Sequence, residues 1–186
     1  MSLQEKSLFA AMELSNKNWK LVFGDGSRER ERSLPARCEA LLLREVALAK
    51  EKLGLPPEAR VVFCYEAGRD GFWIDRMLKK HGFENHVMDP ASIEVPRRSR
   101  TRKTDRLDAK KLLKLLLRAK LWGEQGTFST VCVPSESQEA EMRTHRERER
   151  LVKERTGHRA RIKSLCVLHG LEVRNPATVL IDRLSD

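Results

Sequence analysis

Residues 59–67, ARVVFCYEA, form a continuous apolar run rich in β-branched and aromatic side chains. This composition is typical of a strand that is buried on both faces, and such strands occur mainly in parallel sheets covered by helices. The run ends at the turn sequence AGRDG, residues 67–71. We therefore predict a central parallel strand at this position and an α/β fold around it.

The segments before this strand predict one side of the sheet. Residues 7–14, SLFAAMEL, and residues 18–24, NWKLVFG, are short apolar runs that predict a hairpin. Residues 28–34, RERERSL, alternate in the manner of an exposed edge strand. Residues 36–53 have apolar positions at helical spacing and end at Gly54, which predicts a helix.

The segments after the central strand add helices and one more strand. Residues 70–80 predict a helix, and the short run ENHVMD, residues 84–89, predicts a fifth strand. A further helix is predicted from an N-cap at Thr104, with an apolar stripe at Leu107, Leu112, Leu115 and Leu116. The tryptophans, Trp19, Trp73 and Trp122, are predicted to be core anchors.

Residues 135–169 contain no proline and alternate blocks of Arg and Glu, which predicts a long charged helix or helical pair. Its thin apolar seam is consistent with a coiled-coil-like dimer contact or with a solvated arm. We therefore predict two domains. Residues 1–126 would form the α/β domain, and residues 127–186 would form a charged helical segment and tail.

The net charge of +10 is concentrated in one part of the chain. Between Pro96 and Lys120 there are eleven Lys or Arg and two Asp, so this segment alone carries +9. A basic patch of this kind is typical of a nucleic-acid-binding surface, although a solvated helix face or basic arm is also possible. The absence of a long apolar run or a signal-peptide pattern leads us to expect a cytoplasmic protein without membrane contact. The four cysteines are predicted to be reduced core thiols.

Four carboxylates stand out against this basic background. Asp105 and Asp108 lie three residues apart at a predicted helix start, where capping alone could explain them. Glu66 ends the central strand, at the sheet edge that ligands use in α/β folds, and Glu13 ends the first apolar run. If the four acids converge, they would repel one another unless a cation lies between them. Their oxygen ligands suit Mg²⁺, for which Mn²⁺ can substitute.

Three motifs in this order, AMELSNKNW, VFCYEAGRDG and RKTDRLDAKKL, closely resemble the amino-terminal RuvC-like DEDD domain of the IS one-ten group of insertion-sequence transposases, which are related to the Piv invertases. The resemblance covers residues 7 to about 170. It implies a ribonuclease H-like mixed sheet with flanking helices and a Mg²⁺-dependent DNA recombinase directed by a structured guide RNA. The catalytic and metal-binding tetrad would be Glu13, Glu66, Asp105 and Asp108.

Nucleic-acid phosphates are expected to contact the basic residues around the aspartates. These are Arg97, Arg98, Arg100, Arg102, Lys103, Arg106 and Lys110. This sequence differs from the family in two respects. Glu13 stands where many members have Asp, and the chain ends before the carboxyl-terminal serine domain that members carry. We therefore expect an amino-terminal part of the transposase, forming a homo-oligomer (a dimer or higher) through the charged helix.

Two other functions remain open on the sequence. A non-catalytic scaffold would use the basic surface to bind DNA or RNA without performing chemistry. A junction-resolving nuclease of related fold would cut branched DNA without any further domain. The response of the protein to Mg²⁺ separates the scaffold from the two enzymes.

Overall fold

The structure is a computed structural model that describes residues 6–68, 72–93 and 105–172, with the side chains of the third range described from Ala109 onward. The chain divides into two compact units, Met1–Val133 and Pro134–Asp186. The boundary falls later than the predicted one after Gly126, because Thr130 pairs with Met88 and the Val131 amide donates to the Val87 carbonyl.

The first unit is built on a five-stranded mixed sheet in the order β3-β2-β1-β4-β5. The antiparallel strands β1, β2 and β3 form successive hairpins, whereas β1, β4 and β5 are parallel to one another. The hairpin, the edge strand and the central parallel strand are thus confirmed, and the sheet is compatible with a ribonuclease H-like fold. The strands are β1 Leu8–Glu13, β2 Asn18–Gly24, β3 Glu29–Pro35, β4 Val61–Glu66 and β5 Glu84–Met88.

The helices of the first unit occupy both faces of this sheet. They are α1 Glu39–Leu53, α2 Trp73–Lys80 and α3 Asp105–Lys120, with a short 3-10 turn at Pro90–Ser92. The α1 helix ends at Gly54, whose positive φ of 68° is the left-handed C-cap that the glycine predicted. The predicted N-cap Thr104 lies outside the described residues.

Alternation along β1 separates two hydrophobic cores. Leu8, Ala10 and Met12 pack in the core on the α1 and α2 side of the sheet. Phe9 and Ala11 point to the opposite face and pack with the leucines of α3. Because successive strand residues face opposite sides, any residue of β1 or β4 can be assigned to one of these faces. This assignment locates the acids described below.

The second unit contains α4, Glu136–Leu168, a single helix of 33 residues. Its start is fixed by a capping box in which the Ser135 hydroxyl accepts from the Gln138 amide while the Gln138 side chain accepts from the Ser135 amide. None of its residues is buried among the described atoms of the chain, and Leu151 and Leu165 are more than half exposed. A coiled coil through this helix stays a prediction.

Two predictions about individual side chains were correct only in part. Trp19 is a core residue, but Trp73 is 36% exposed and Trp122 is 62% exposed. Among the four cysteines, all of them free, Cys64 is buried, whereas Cys132 is exposed. No helix in the described part of the chain is long and apolar enough to cross a membrane.

Candidate acidic site at the carboxyl edge of the sheet

Glu13 and Glu66 lie at the carboxyl ends of adjacent parallel strands. The register of β1 and β4 pairs Met12 with Tyr65, and the two glutamates follow one residue later on each strand. Neighbouring strands lie about 4.8 Å apart. Ala11 and Cys64 pack in the core on the α3 side of the sheet. Glu13 and Glu66 come two residues after them, so both glutamates occupy this same face. The strand pairing therefore places the two residues side by side on one face of the sheet.

The α3 helix runs antiparallel to β1 on this face. Near its start, Ala109 lines a groove with Lys20 and Val22 of β2. Near its middle, Leu113 lies against Gly24, and just past its end Leu121 lies over Gly26. Since Lys20 is the register partner of Glu13, and Gly24 that of Phe9, the first turn of α3 lies toward the carboxyl end of β1.

The first turn of α3 begins with Asp105 and includes Asp108. The backbone therefore brings the start of the DxxD motif toward the strand ends that carry the two glutamates. The side chains of Asp105, Arg106 and Asp108 lie outside the described residues, as do the predicted phosphate contacts Arg97, Arg98, Arg100, Arg102 and Lys103. Convergence of the four carboxylates stays a prediction.

The two described glutamates have different environments. Glu66 is exposed, whereas Glu13 is partly buried and its Oε2 atom is shielded from solvent. Among the side chains that the structure describes, no group of three or more His, Cys, Asp or Glu lies close enough to hold a metal. A metal site at this edge would therefore need the aspartates of α3 in addition to the two glutamates.

Basic side chains adjoin the acids on the β2 and β3 side. Lys20 is the register partner of Glu13 in the β1–β2 hairpin and faces α3. The sequence did not lead us to single out Lys20, although the alternation of the hairpin strands predicts the face on which it lies. Lys110, predicted to contact phosphate, places its Nζ 2.6 Å from Glu31 and 3.6 Å from Glu29. A phosphate contact by Lys110 would have to compete with these carboxylates.

Asp89 follows β5 at the same edge but has a local structural role. Its Oδ1 accepts from the Ala91 amide at 3.0 Å and caps the short 3-10 turn. Its backbone amide donates to the Ser129 carbonyl at 2.9 Å. At this edge of the sheet, the described strands β1 and β4 each end in a glutamate, Glu13 and Glu66, and carboxylate oxygens fit Mg²⁺ better than a softer metal.

No family model matches the chain. The chain is 36% identical over 179 residues to a protein of Sinorhizobium fredii named "Putative transposase y4rJ", and the match covers 91% of this chain and 44% of that protein. It is 35% identical over 111 residues to a second protein of the same organism, named "Putative transposase y4qE", covering 59% of this chain and 26% of that protein. The chain thus spans less than half the length of these curated relatives.

Proposed function

We propose that this chain is a RuvC-like domain of a DNA transposase or recombinase and performs metal-dependent DNA strand cleavage and exchange as part of the whole protein. One observation carries the proposal. Glu13 and Glu66 end adjacent parallel strands on one sheet face, and the first turn of α3, which contains Asp105 and Asp108, lies toward the same edge. The similarity to two proteins named as transposases supports the same function.

In this proposal, Glu13, Glu66, Asp105 and Asp108 hold Mg²⁺. The donor set fits this ion, because Mg²⁺ prefers oxygen ligands and is commonly held by one or two carboxylates together with substrate phosphate. When bound, Mg²⁺ supplies Lewis-acid stabilisation of a phosphate oxygen and activates the attacking water or hydroxyl. The longer side chain of Glu13, compared with aspartate, lets its carboxylate reach past the strand end.

The residues around the acids would bind the substrate. Arg97, Arg98, Arg100, Arg102 and Lys103 precede α3 in the sequence, and their charges would hold DNA phosphates beside the carboxylates. We further propose that a structured RNA guides the reaction and that two or more copies of the chain assemble through α4. The exposed Leu151, Val152 and Leu165 of α4 supply apolar surface for such a contact.

A thermal-shift titration with Mg²⁺ tests the metal site. Binding to the folded protein raises the unfolding midpoint by mass action, so the wild-type midpoint should rise with Mg²⁺ concentration. The variants Glu66→Gln and Asp105→Ala should each abolish the rise. Glu58→Gln is the matched control, because Glu58 is exposed and precedes β4, at the opposite edge of the sheet, and it should leave the rise intact.

The outcomes separate the candidate functions. An unfolding midpoint that does not change with Mg²⁺, or a rise that persists in both Glu66→Gln and Asp105→Ala, contradicts the proposed metal site. Either result would favour a nucleic-acid-binding scaffold. Cleavage of branched DNA by this chain alone would instead indicate a junction-resolving nuclease. The proposed function predicts a Mg²⁺ response from this chain and strand exchange by the whole transposase.

A further inference from the structure

A pocket lies at the amino-terminal edge of the sheet, opposite the edge that carries Glu13 and Glu66. It has a volume of about 580 Å³ and is lined by the start of β1, the β2–β3 turn, the segment after α1 and the end of α3. Five residue steps of β1 separate the two edges, which corresponds to about 17 Å. A ligand in this pocket therefore contacts a different surface from a DNA strand at Glu13 and Glu66.

Four cations from four different segments line this pocket. They are Lys6, Arg28, Arg60 and Lys120. Arg28 donates to the Leu53 carbonyl at the end of α1 and lies 3.4 Å from Asp25, so part of its role is structural. Arg60 and Lys120 both pair with Glu84 of β5. Lys6, just before β1, is exposed at the mouth of the pocket.

The two carboxylates near these cations are strongly paired. Burial by itself would raise the pKa of Glu84, but hydrogen bonds from Lys120 and His86 and the charges of Lys120 and Arg60 lower it to about 2. Burial would likewise raise the pKa of Asp25, but hydrogen bonds from the Arg28 and Ser27 amides hold it below its ordinary value. Among the residues of this region that the structure describes, four positive charges therefore face two negative charges, which is an excess of positive charge.

The lining also indicates which anion fits. Among the described side chains that line the pocket, Phe9 is the one aromatic residue and is 4% exposed, so this lining offers little surface for stacking a base. Guanidinium and ammonium groups arranged around a polar cavity instead match the oxygens of a phosphate. The pocket is large enough to admit a backbone phosphate together with the sugars on either side.

We propose that this pocket binds a backbone phosphate of a nucleic-acid strand, at a site separate from the metal-binding edge. The proposal rests on the proposed function for the presence of nucleic acid, but not on the metal site. A protein with both sites holds nucleic acid at opposite edges of one sheet. Lys6 and Arg60 make the phosphate contacts, while Arg28 and Lys120 also stabilise the ends of α1 and α3.

Binding of a labelled DNA duplex, measured by fluorescence anisotropy against salt concentration with a chelator present, tests this site. The chelator removes divalent cations, so failure of the metal site does not affect the result. The variant Lys6→Ala/Arg60→Ala should weaken binding and lower the slope of log affinity against log salt by about one to two. The control Arg44→Ala/Lys80→Ala removes the same charge from exposed positions that lie outside both the pocket and the basic segment Pro96–Lys120, and it should bind more like the wild type.

Two further arms complete the experiment. The charge-conserving variant Lys6→Arg/Arg60→Lys should keep the wild-type slope, and it remains informative if the alanine variant fails to fold. Inorganic phosphate distinguishes a strand from a free anion. If inorganic phosphate raises the unfolding midpoint of the wild type but not of the alanine variant, while DNA binding is equal in both, the pocket binds free phosphate and the proposal is wrong. Equal slopes for the alanine variant and its charge-matched control also overturn it.

Discussion

Glu13 and Glu66 occupy matching positions on adjacent parallel strands, one residue beyond the paired Met12 and Tyr65. Like charges that face each other across neighbouring strands are destabilising. A folded protein keeps such a pair when the charges serve a function or when a cation compensates them. If a divalent ion binds here, as proposed, this arrangement should stabilise the fold in the presence of the ion and destabilise it in its absence.

Glu66→Gln should separate these two consequences. In the presence of a chelator, the variant removes one of two adjacent negative charges, so its unfolding midpoint should be equal to or slightly above that of the wild type. In Mg²⁺, the wild type should gain stability and the variant should not, which reverses the order. Thermal unfolding followed by circular dichroism measures both conditions. A variant that is less stable than the wild type by the same amount in both conditions would show that Glu66 has a structural role instead.

The basic segment before α3 gives a prediction about nucleic-acid affinity. Arg98→Ala and Arg102→Ala should each weaken DNA binding to a similar extent for different sequences, because backbone contacts carry no sequence information. Each variant should lower the salt slope by about one. Anisotropy titrations with two unrelated duplexes at several salt concentrations measure both effects. A loss confined to one duplex, or an unchanged slope, would argue against phosphate contacts by these arginines.

A buried polar pair beneath α2 gives a prediction about stability. Asp75 is 2% exposed, and its Oδ1 accepts from the Asn85 side-chain amide at 2.8 Å while its Oδ2 lies 2.8 Å from the Lys79 ammonium. Asp75→Ala leaves the buried amide of Asn85 without this acceptor and should lower the free energy of unfolding by about 2–3 kcal/mol. Asp75→Asn keeps an acceptor in place and should cost less. Urea unfolding compares the two variants, and equal losses would show that the hydrogen bond to Asn85 does not matter.

The depressed pKa of Glu84 predicts how stability depends on pH. The pKa falls from its ordinary value of 4.5 to about 2 in the folded protein, as Lys120 and His86 donate to the carboxylate and outweigh the opposing effect of burial. A carboxyl with a lowered folded pKa contributes stability that is fully present above pH 4.5 and is lost as the pH falls toward 2. Glu84→Gln should therefore be less stable than the wild type at neutral pH, and the difference should shrink across this range. Urea unfolding at a series of pH values measures it, with Glu58→Gln as the charge-matched control. A difference that stays constant down to pH 2 would contradict the assigned pairing.

Much of the fold follows from local patterns. The apolar run of β4, the two runs of the hairpin and the stop at Gly54 each have a signature within a few residues, and the structure has an element at each place. In the predicted leucine stripe of α3, Leu112, Leu115 and Leu116 are buried, whereas the side chain of Leu107 lies outside the described residues. The stripe was predicted too narrow, since Leu113 and Leu117 are also buried. A helix that lies flat on a sheet buries a wider face than periodicity alone indicates.

The features that could not be predicted depend on contacts between distant segments. The pairing of Asp75 with Asn85 requires α2 to pack on β5, and the cationic pocket is assembled from Lys6, Arg28, Arg60 and Lys120. Neither has a local sequence signal. The acids at the strand ends were predictable because a strand's position in a parallel sheet fixes the edge at which it ends.

A crystal soaked with Mn²⁺ tests the central claim most directly, because anomalous scattering locates the ion and its ligands. We expect anomalous density between the carboxylates of Glu13 and Glu66 and those of Asp105 and Asp108. The Mn–O distances should be roughly 2.0–2.3 Å, between those typical of Mg²⁺ and Ca²⁺. Density elsewhere, or aspartates that point away from the two glutamates in the metal-soaked crystal, would contradict it.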